Sequence, residues 1–119
     1  MRELLIASLV ALGLGAAPRL SAHTYSAQEC LEGGDFITHA AQARDNGMTK
    51  SDFLDRLTGD IRLIQAYPPE LRWFVADPED ADFLRDESAR VFDAPVEPEA
   101  HRRQFLMHCF DRALRAERG

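Results

Sequence analysis

Two cysteines, Cys30 and Cys109, are the only thiols in the sequence. In an oxidising compartment they allow one bridge and no alternative pairing. In a reducing one they lack the Cys-x-x-Cys spacing of a redox pair. The four histidines are His23, His39, His101 and His108. None stands in a His-Glu-x-x-His array or an i, i+4 pair, so no metal centre is expected from them. His101 and His108 lie two turns apart on one helical face. Asp77, Glu79, Asp80, Asp82, Asp86 and Glu87 form an acidic run. It lacks the glycine and the twelfth-position glutamate of a calcium loop, and reads as a solvated helix face. Ser26, Ser51 and Ser88 have no nucleophile-elbow context. No pair of carboxylates is set at glycosidase spacing by sequence alone. These patterns support no catalysis, and we expect a protein that is not an enzyme and carries no cofactor.

Recognition chemistry is the remaining candidate. Arg44-Asp45-Asn46-Gly47 is a polar cluster at a helix end. It is a charged contact point for a partner or a structural turn, with Gly47 supplying positive φ and Arg44 paired to a carboxylate such as Asp60. Arg72-Trp73 holds the only tryptophan. Trp beside Arg is the composition of a binding hot spot, and a core-capping Trp is the other reading. On a helix, Leu71, Phe74 and Val75 share a core face and push Trp73 outward. The candidate partner-binding residues are therefore Arg44, Asp45, Arg72 and Trp73.

The compartment follows from the first 22 residues. Arg2 precedes a run at 4–17 made of Leu, Ile, Val, Ala, Gly and one Ser. It suits a signal-peptide core and falls short of the ~20 residues of a membrane span. Pro18 ends it, and Leu20-Ser21-Ala22 offers a cleavage point. Removal after Ala22 leaves 97 residues, 23–119, enough for a single small helical domain. We expect a periplasmic or secreted location, where Cys30 and Cys109 pair. A new amino terminus at His23 would give copper an amine and a ring nitrogen, so a copper or metal carrier is one alternative function. The remaining chain is acidic, and Lys50 is its only lysine. Nucleic acid and anionic membrane surfaces are poor partners for it, because phosphate neutralisation needs clustered Lys and Arg.

The elements that must position these residues are helices. The stretch 98–116 places Phe105, Leu106, Cys109, Phe110, Ala113 and Leu114 at spacings that only a 3.6-residue period brings together. A first helix over 28–45 lines up Cys30, Ile37, Ala40, Ala41 and Arg44. Gly33-Gly34 inside it predicts a break or a close helix contact. Thr49 caps a second helix reaching Ala66, whose apolar face is Phe53, Leu54, Leu57, Ile61 and Ile64. Pro68-Pro69 stops it and starts a short helix over 69–76. Asp77-Pro78 starts another, to about Phe92, which buries Phe83, Leu84, Val91 and Phe92. No stretch alternates like a strand. The expected fold is all-α: four main helices and one short one, clipped by a disulfide between the first and the last.

Cys30, Phe36, Arg44-Asp45-Asn46-Gly47, Pro68-Pro69, Trp73-Phe74 and Cys109 together resemble a group of small, uncharacterised exported two-cysteine helical proteins of proteobacteria. The resemblance spans 30–109 and implies no activity. In architecture alone the layout is similar to periplasmic acid-stress chaperones and to helical immunity proteins. The function expected is a non-enzymatic periplasmic module that binds a protein partner, as adaptor, inhibitor or immunity-like protein, through a helical surface near 71–75 and 102–115. An acid-responsive chaperone is the second alternative.

Overall fold

The structure, a computed structural model, describes residues 25–118. The apolar run at 4–17, the cleavage point after Ala22 and the copper-ligand candidate His23 lie outside those residues. Helix α1 spans Ala27–Asp45. Ser26 and Glu29 open it with reciprocal bonds: the Ser26 hydroxyl accepts from the Glu29 N–H at 3.0 Å, and Glu29 Oε1 accepts from the Ser26 N–H at 3.1 Å. This capping box satisfies two of the donors that a helix start leaves free. Gly47, at φ 98°, reverses the chain after α1. Helix α2 (Lys50–Gln65) starts under Thr49, whose Oγ1 accepts from the Asp52 N–H at 3.1 Å. Helix α3 (Pro78–Asp93) has Asp77 at its cap and Pro78 at its first position. Its missing N–H is one the first turn could not have paired in any case. Helix α4 (Pro98–Arg118) closes the chain.

The short helix expected over 69–76 is a single 3-10 turn, Pro69–Leu71. Beyond it the chain is held by a side chain. Arg72 Nε donates to the Tyr67 carbonyl at 2.7 Å, and its Nη1 donates to the Ala76 carbonyl at 3.2 Å. One guanidinium thus folds the 66–77 connection on itself. Because the helix ends early, Leu71 does not share a core face with Phe74 and Val75. Those two are fully buried and Leu71 stands in solvent.

The main packing is α1 along α4, with α3 against α1 and α2 against α3. One core joins all of them: Ile37, Ala40 and Ala41 from α1, Leu57 and Ile61 from α2, Leu84 and Val91 from α3, and Phe105 from α4. The connection adds Phe74 and Val75. Gly33 and Gly34 do not break α1, and they mark a close helix contact. A Cβ on Gly33 would stand 2.6 Å from Phe105 Cζ. The Phe105 ring therefore sits on bare backbone. Cys30 and Cys109 bond one turn away, with Cα atoms 5.8 Å apart, joining the first helix to the last. Tyr25, in the stretch before α1, also enters the core and stacks on Phe74 at 4.2 Å between ring centroids. No strand occurs among the described residues, and no helix among them is long and apolar enough to cross a membrane.

The acidic run is only partly a solvated face. Asp80 and Glu87 are 2% and 7% exposed. They fall on the stripe 80-84-87-91, whose other members, Leu84 and Val91, are core. A period of 3.6 puts these four on one side of α3. Helix α4 answers with Arg112 and His108. Arg112 Nη2 lies 3.5 Å from Asp80 Oδ1, and His108 Nδ1 lies 2.7 Å from Glu87 Oε1. The two carboxylates enter because long polar side chains from α4 reach them.

Candidate functional site

Trp73 sits where the 66–77 connection crosses α1. Its indole N–H donates to Glu32 Oε1 at 2.8 Å. That bond, followed by one from Gln28, holds the Glu32 carboxyl below the ordinary carboxylate range. One side of the indole lies against Phe74 and Phe36, with ring centroids at 5.5 and 6.4 Å. The rest faces solvent, at 37% exposure. In the chain just before it, Leu63, Tyr67 and Leu71 are 68%, 58% and 65% exposed. Tyr67, Leu71 and Trp73 fall within seven residues of chain, and Leu63 lies one turn before Tyr67. Isolated apolar residues on a surface are ordinary; four large ones exposed within eleven residues of chain are less so.

Phe36 links this corner to a groove of about 270 Å³ between α1 and α2. The groove is floored by Phe36, Ala40, Met48, Phe53 and Leu57, with His39, Arg56 and Asp60 among its lining residues. Its walls are mainly carbon, and its polar groups can select and orient what enters. Arg72 braces the corner from behind, since its guanidinium donates to backbone carbonyls. Of the expected pair, Trp73 is the side chain presented.

Arg44 and Asp45 are placed elsewhere. Glu32 and Arg44 are twelve residues apart on α1, about 18 Å along a helix. The structure therefore does not bring the Arg44-Asp45 cluster to the Trp73 corner. Arg44 turns inward. Its Nη1 donates to the Val91 carbonyl at 2.8 Å, and its Nη2 donates to the Val96 carbonyl at 2.8 Å. Its carboxylate partner is Asp45, at 2.9 Å, rather than Asp60. Arg44 Nη1 also lies 2.9 Å from His101 Nε2, which accepts the Val96 N–H at 3.0 Å. Two donors on Nε2 require that the ring proton sit on Nδ1 and that the ring be neutral. Burial, then the Arg44 charge, pushes the His101 pKa below its usual value. Arg44 thus pins the end of α1 to α3, to the 94–97 loop and to α4.

A third polar cluster lies between α3 and α4. Arg112 stacks over the Phe83 and Tyr25 rings, with its guanidinium carbon 5.1 and 5.7 Å from their centroids. Burial, and then the Asp80 carboxylate, pushes the Tyr25 phenol far above its usual pKa. Arg90, Arg115 and Asp111 complete a polar cleft beside Glu87 and His108. Its opposed charges largely pair: Arg90 Nε lies 3.7 Å from Glu87 and Arg115 Nη2 lies 2.8 Å from Asp111. Among the described residues, no three His, Cys, Asp or Glu gather as a metal site.

Sequence reasoning did not identify Glu32, Tyr25, or the His101 and Glu87 partnerships. His101 carried one usable signal, since it falls on the buried stripe of α4 with Phe105. Tyr25 carried none, because a single aromatic before a helix has no period. Comparison with known proteins adds no relative: no family model, no curated protein and no solved structure matches this chain.

Proposed function

We propose that this chain is a non-enzymatic protein-binding module, exported to the periplasm or beyond, acting as an adaptor, inhibitor or immunity-like protein. The observation that supports it is the part-exposed Trp73, which follows the exposed Leu63, Tyr67 and Leu71 in the chain and contacts Phe36, a residue that also lines the α1–α2 groove. A Trp fixed by one hydrogen bond is a rigid anchor that loses little entropy on docking. The partner surface suited to this corner is an apolar ridge or helix with a side chain long enough to fill the groove.

The test is capture by C-terminally tagged protein from periplasmic extract, compared with Trp73→Ala and Leu71→Ala. The expected result is one stoichiometric partner whose recovery falls at least tenfold in either variant, the loss of a hot-spot side chain. An unchanged set of captured proteins in both variants overturns the proposal.

The Arg44–His101 arrangement favours one second reading, an acid-responsive chaperone. Protonation of His101 opposes its buried contact with Arg44 and works against the joint of three helices. Protonated carboxylates elsewhere would then leave the chain positively charged and self-repelling. Client aggregation assays near pH 2–3 test it. No client protection, with compact packing retained, removes this reading.

A further inference from the structure

Helix α4 carries two stripes, and the core uses only one. His101, Phe105 and Cys109 turn inward and are buried. The six apolar residues expected on one face divide: Phe105 and Cys109 are buried and Leu106 and Ala113 half-buried, whereas Phe110 and Leu114 join Met107 at spacings of three and four on the opposite side. Met107, Phe110 and Leu114 are 68%, 39% and 54% exposed. The stripe continues at both ends into charge. Arg103 lies one turn before Met107, and Glu117 lies three residues after Leu114. Both are exposed, and neither forms an ion pair among the described residues.

We infer that this stripe docks a second copy of the chain, with α4 antiparallel to α4 about a two-fold axis near Phe110. Charge distribution selects the occupant and its direction. In the antiparallel arrangement Arg103 of each copy comes within one helical turn of Glu117 of the other, twice over. In a parallel one Arg103 meets Arg103 and Glu117 meets Glu117, which repel. A self-complementary stripe with opposite charges at its ends is what a two-fold interface requires. The stripe from Arg103 to Glu117 is about 21 Å long. One such seam covers less than the ~800 Å² per partner of a standard stable interface. The dimer is therefore reversible and concentration-dependent. The Trp73 corner lies on the 66–77 connection and is not part of this seam, so the two surfaces are separable by mutation.

Sedimentation velocity on the purified chain between about 10 µM and 1 mM, the range of weak association, provides the test. A monomer–dimer equilibrium is expected at low ionic strength. Phe110→Glu abolishes it, and so does Met107→Lys with Leu114→Lys. The second variant leaves Phe110 in place and guards against a folding defect, which circular dichroism would report. Arg103→Glu or Glu117→Arg alone weakens association about 3- to 10-fold, the loss of two exposed ion pairs. The exchanged double variant, Arg103→Glu with Glu117→Arg, restores it. Trp73→Ala leaves it unchanged. A monomer at every concentration overturns the proposal, as does association indifferent to the charge exchange. A monomer that binds phosphatidylcholine vesicles through Phe110 also overturns it, and assigns the stripe to a lipid surface.

Discussion

Replacing Gly33 with alanine should destabilise the protein, although alanine is the better helix former. In an open helix the exchange stabilises by about 1 kcal/mol. At Gly33 the new Cβ would lie 2.6 and 2.7 Å from two atoms of Phe105 and 3.0 Å from Phe74 Cε2. Carbon pairs prefer about 3.5–4.0 Å, so something must move by about 1 Å. Neither ring has room to do so. Phe105 packs on Phe74 and Phe83 at 5.8 and 5.7 Å, and Phe74 is stacked on Tyr25. Helix α1 cannot simply back away from α4, because Cys30 and Cys109 tie them one turn off. Overpacking of this kind costs about 1–3 kcal/mol beyond the propensity gain. For a domain of this size that lowers Tm by about 4–20 °C. Two other glycines serve as internal controls. Gly59→Ala meets nothing within 4 Å and should stabilise by about 0.5–1 kcal/mol. Gly34→Ala meets Leu106 Cδ2 and Arg102 Cγ at 3.3 and 3.4 Å, side-chain atoms that need give by only a few tenths of an ångström, and should fall within about 1 kcal/mol of the parent. Urea unfolding of the three variants gives the order directly. In a Phe105→Leu background the Gly33→Ala penalty should shrink, as a double-mutant cycle would show. A Gly33→Ala protein as stable as Gly59→Ala would refute the close-contact account.

Reducing the Cys30–Cys109 bridge, which spans 79 positions, should cost about 4–5 kcal/mol by the chain-entropy model, read from urea unfolding with and without reductant. Because the folded His101 pKa lies below its unfolded value, the unfolded chain binds more protons. Stability conferred by neutral His101 is then full above about pH 6.5 and is lost as pH falls through the lowered folded value. Tm measured from pH 7.5 down to 5 should drop in the parent and stay flatter in His101→Phe. Trp73 emission should change at a pH below the ordinary glutamate range, as Glu32 takes up its proton and the indole bond is weakened; Glu32→Gln should abolish that step.

Helices were readable here because each has a period, and two of the four also carry a cap that the sequence announces. Thr49 and Asp77 cap where their side-chain chemistry suggests, and Cys30, Ile37, Leu57, Ile61, Leu84 and Phe105 are buried where a 3.6-residue repeat places them; the Ser26–Glu29 capping box of α1 went unread. Reading faltered where a tertiary contact decided. The stretch 69–76 read as a short helix, and beyond the Pro69–Leu71 turn the hydrogen bonds of Arg72 fix it otherwise. Asp80 and Glu87 looked solvated because nothing in a charge run discloses a partner on another helix. Arg44 at a helix end could be read as a partner contact or as part of a structural turn, and sequence did not decide: the acceptors of Arg44 are backbone carbonyls at 91 and 96, which no residue type announces, while Asp45 stays exposed.

The bridge between α1 and α4 also governs what happens when the chain is cut. Nearly all exposed connections, including 66–77 and 94–97, lie between Cys30 and Cys109. A protease that nicks either connection opens a ring and releases no piece. The severed halves stay covalently joined and co-migrate with the intact chain until a reductant is added. In a protease-rich environment such a protein persists as a clipped but undivided molecule. After a cut between Pro69 and Trp73, the indole sits near a new chain end rather than within a loop, free of the tether that Pro68 and Pro69 impose on one side.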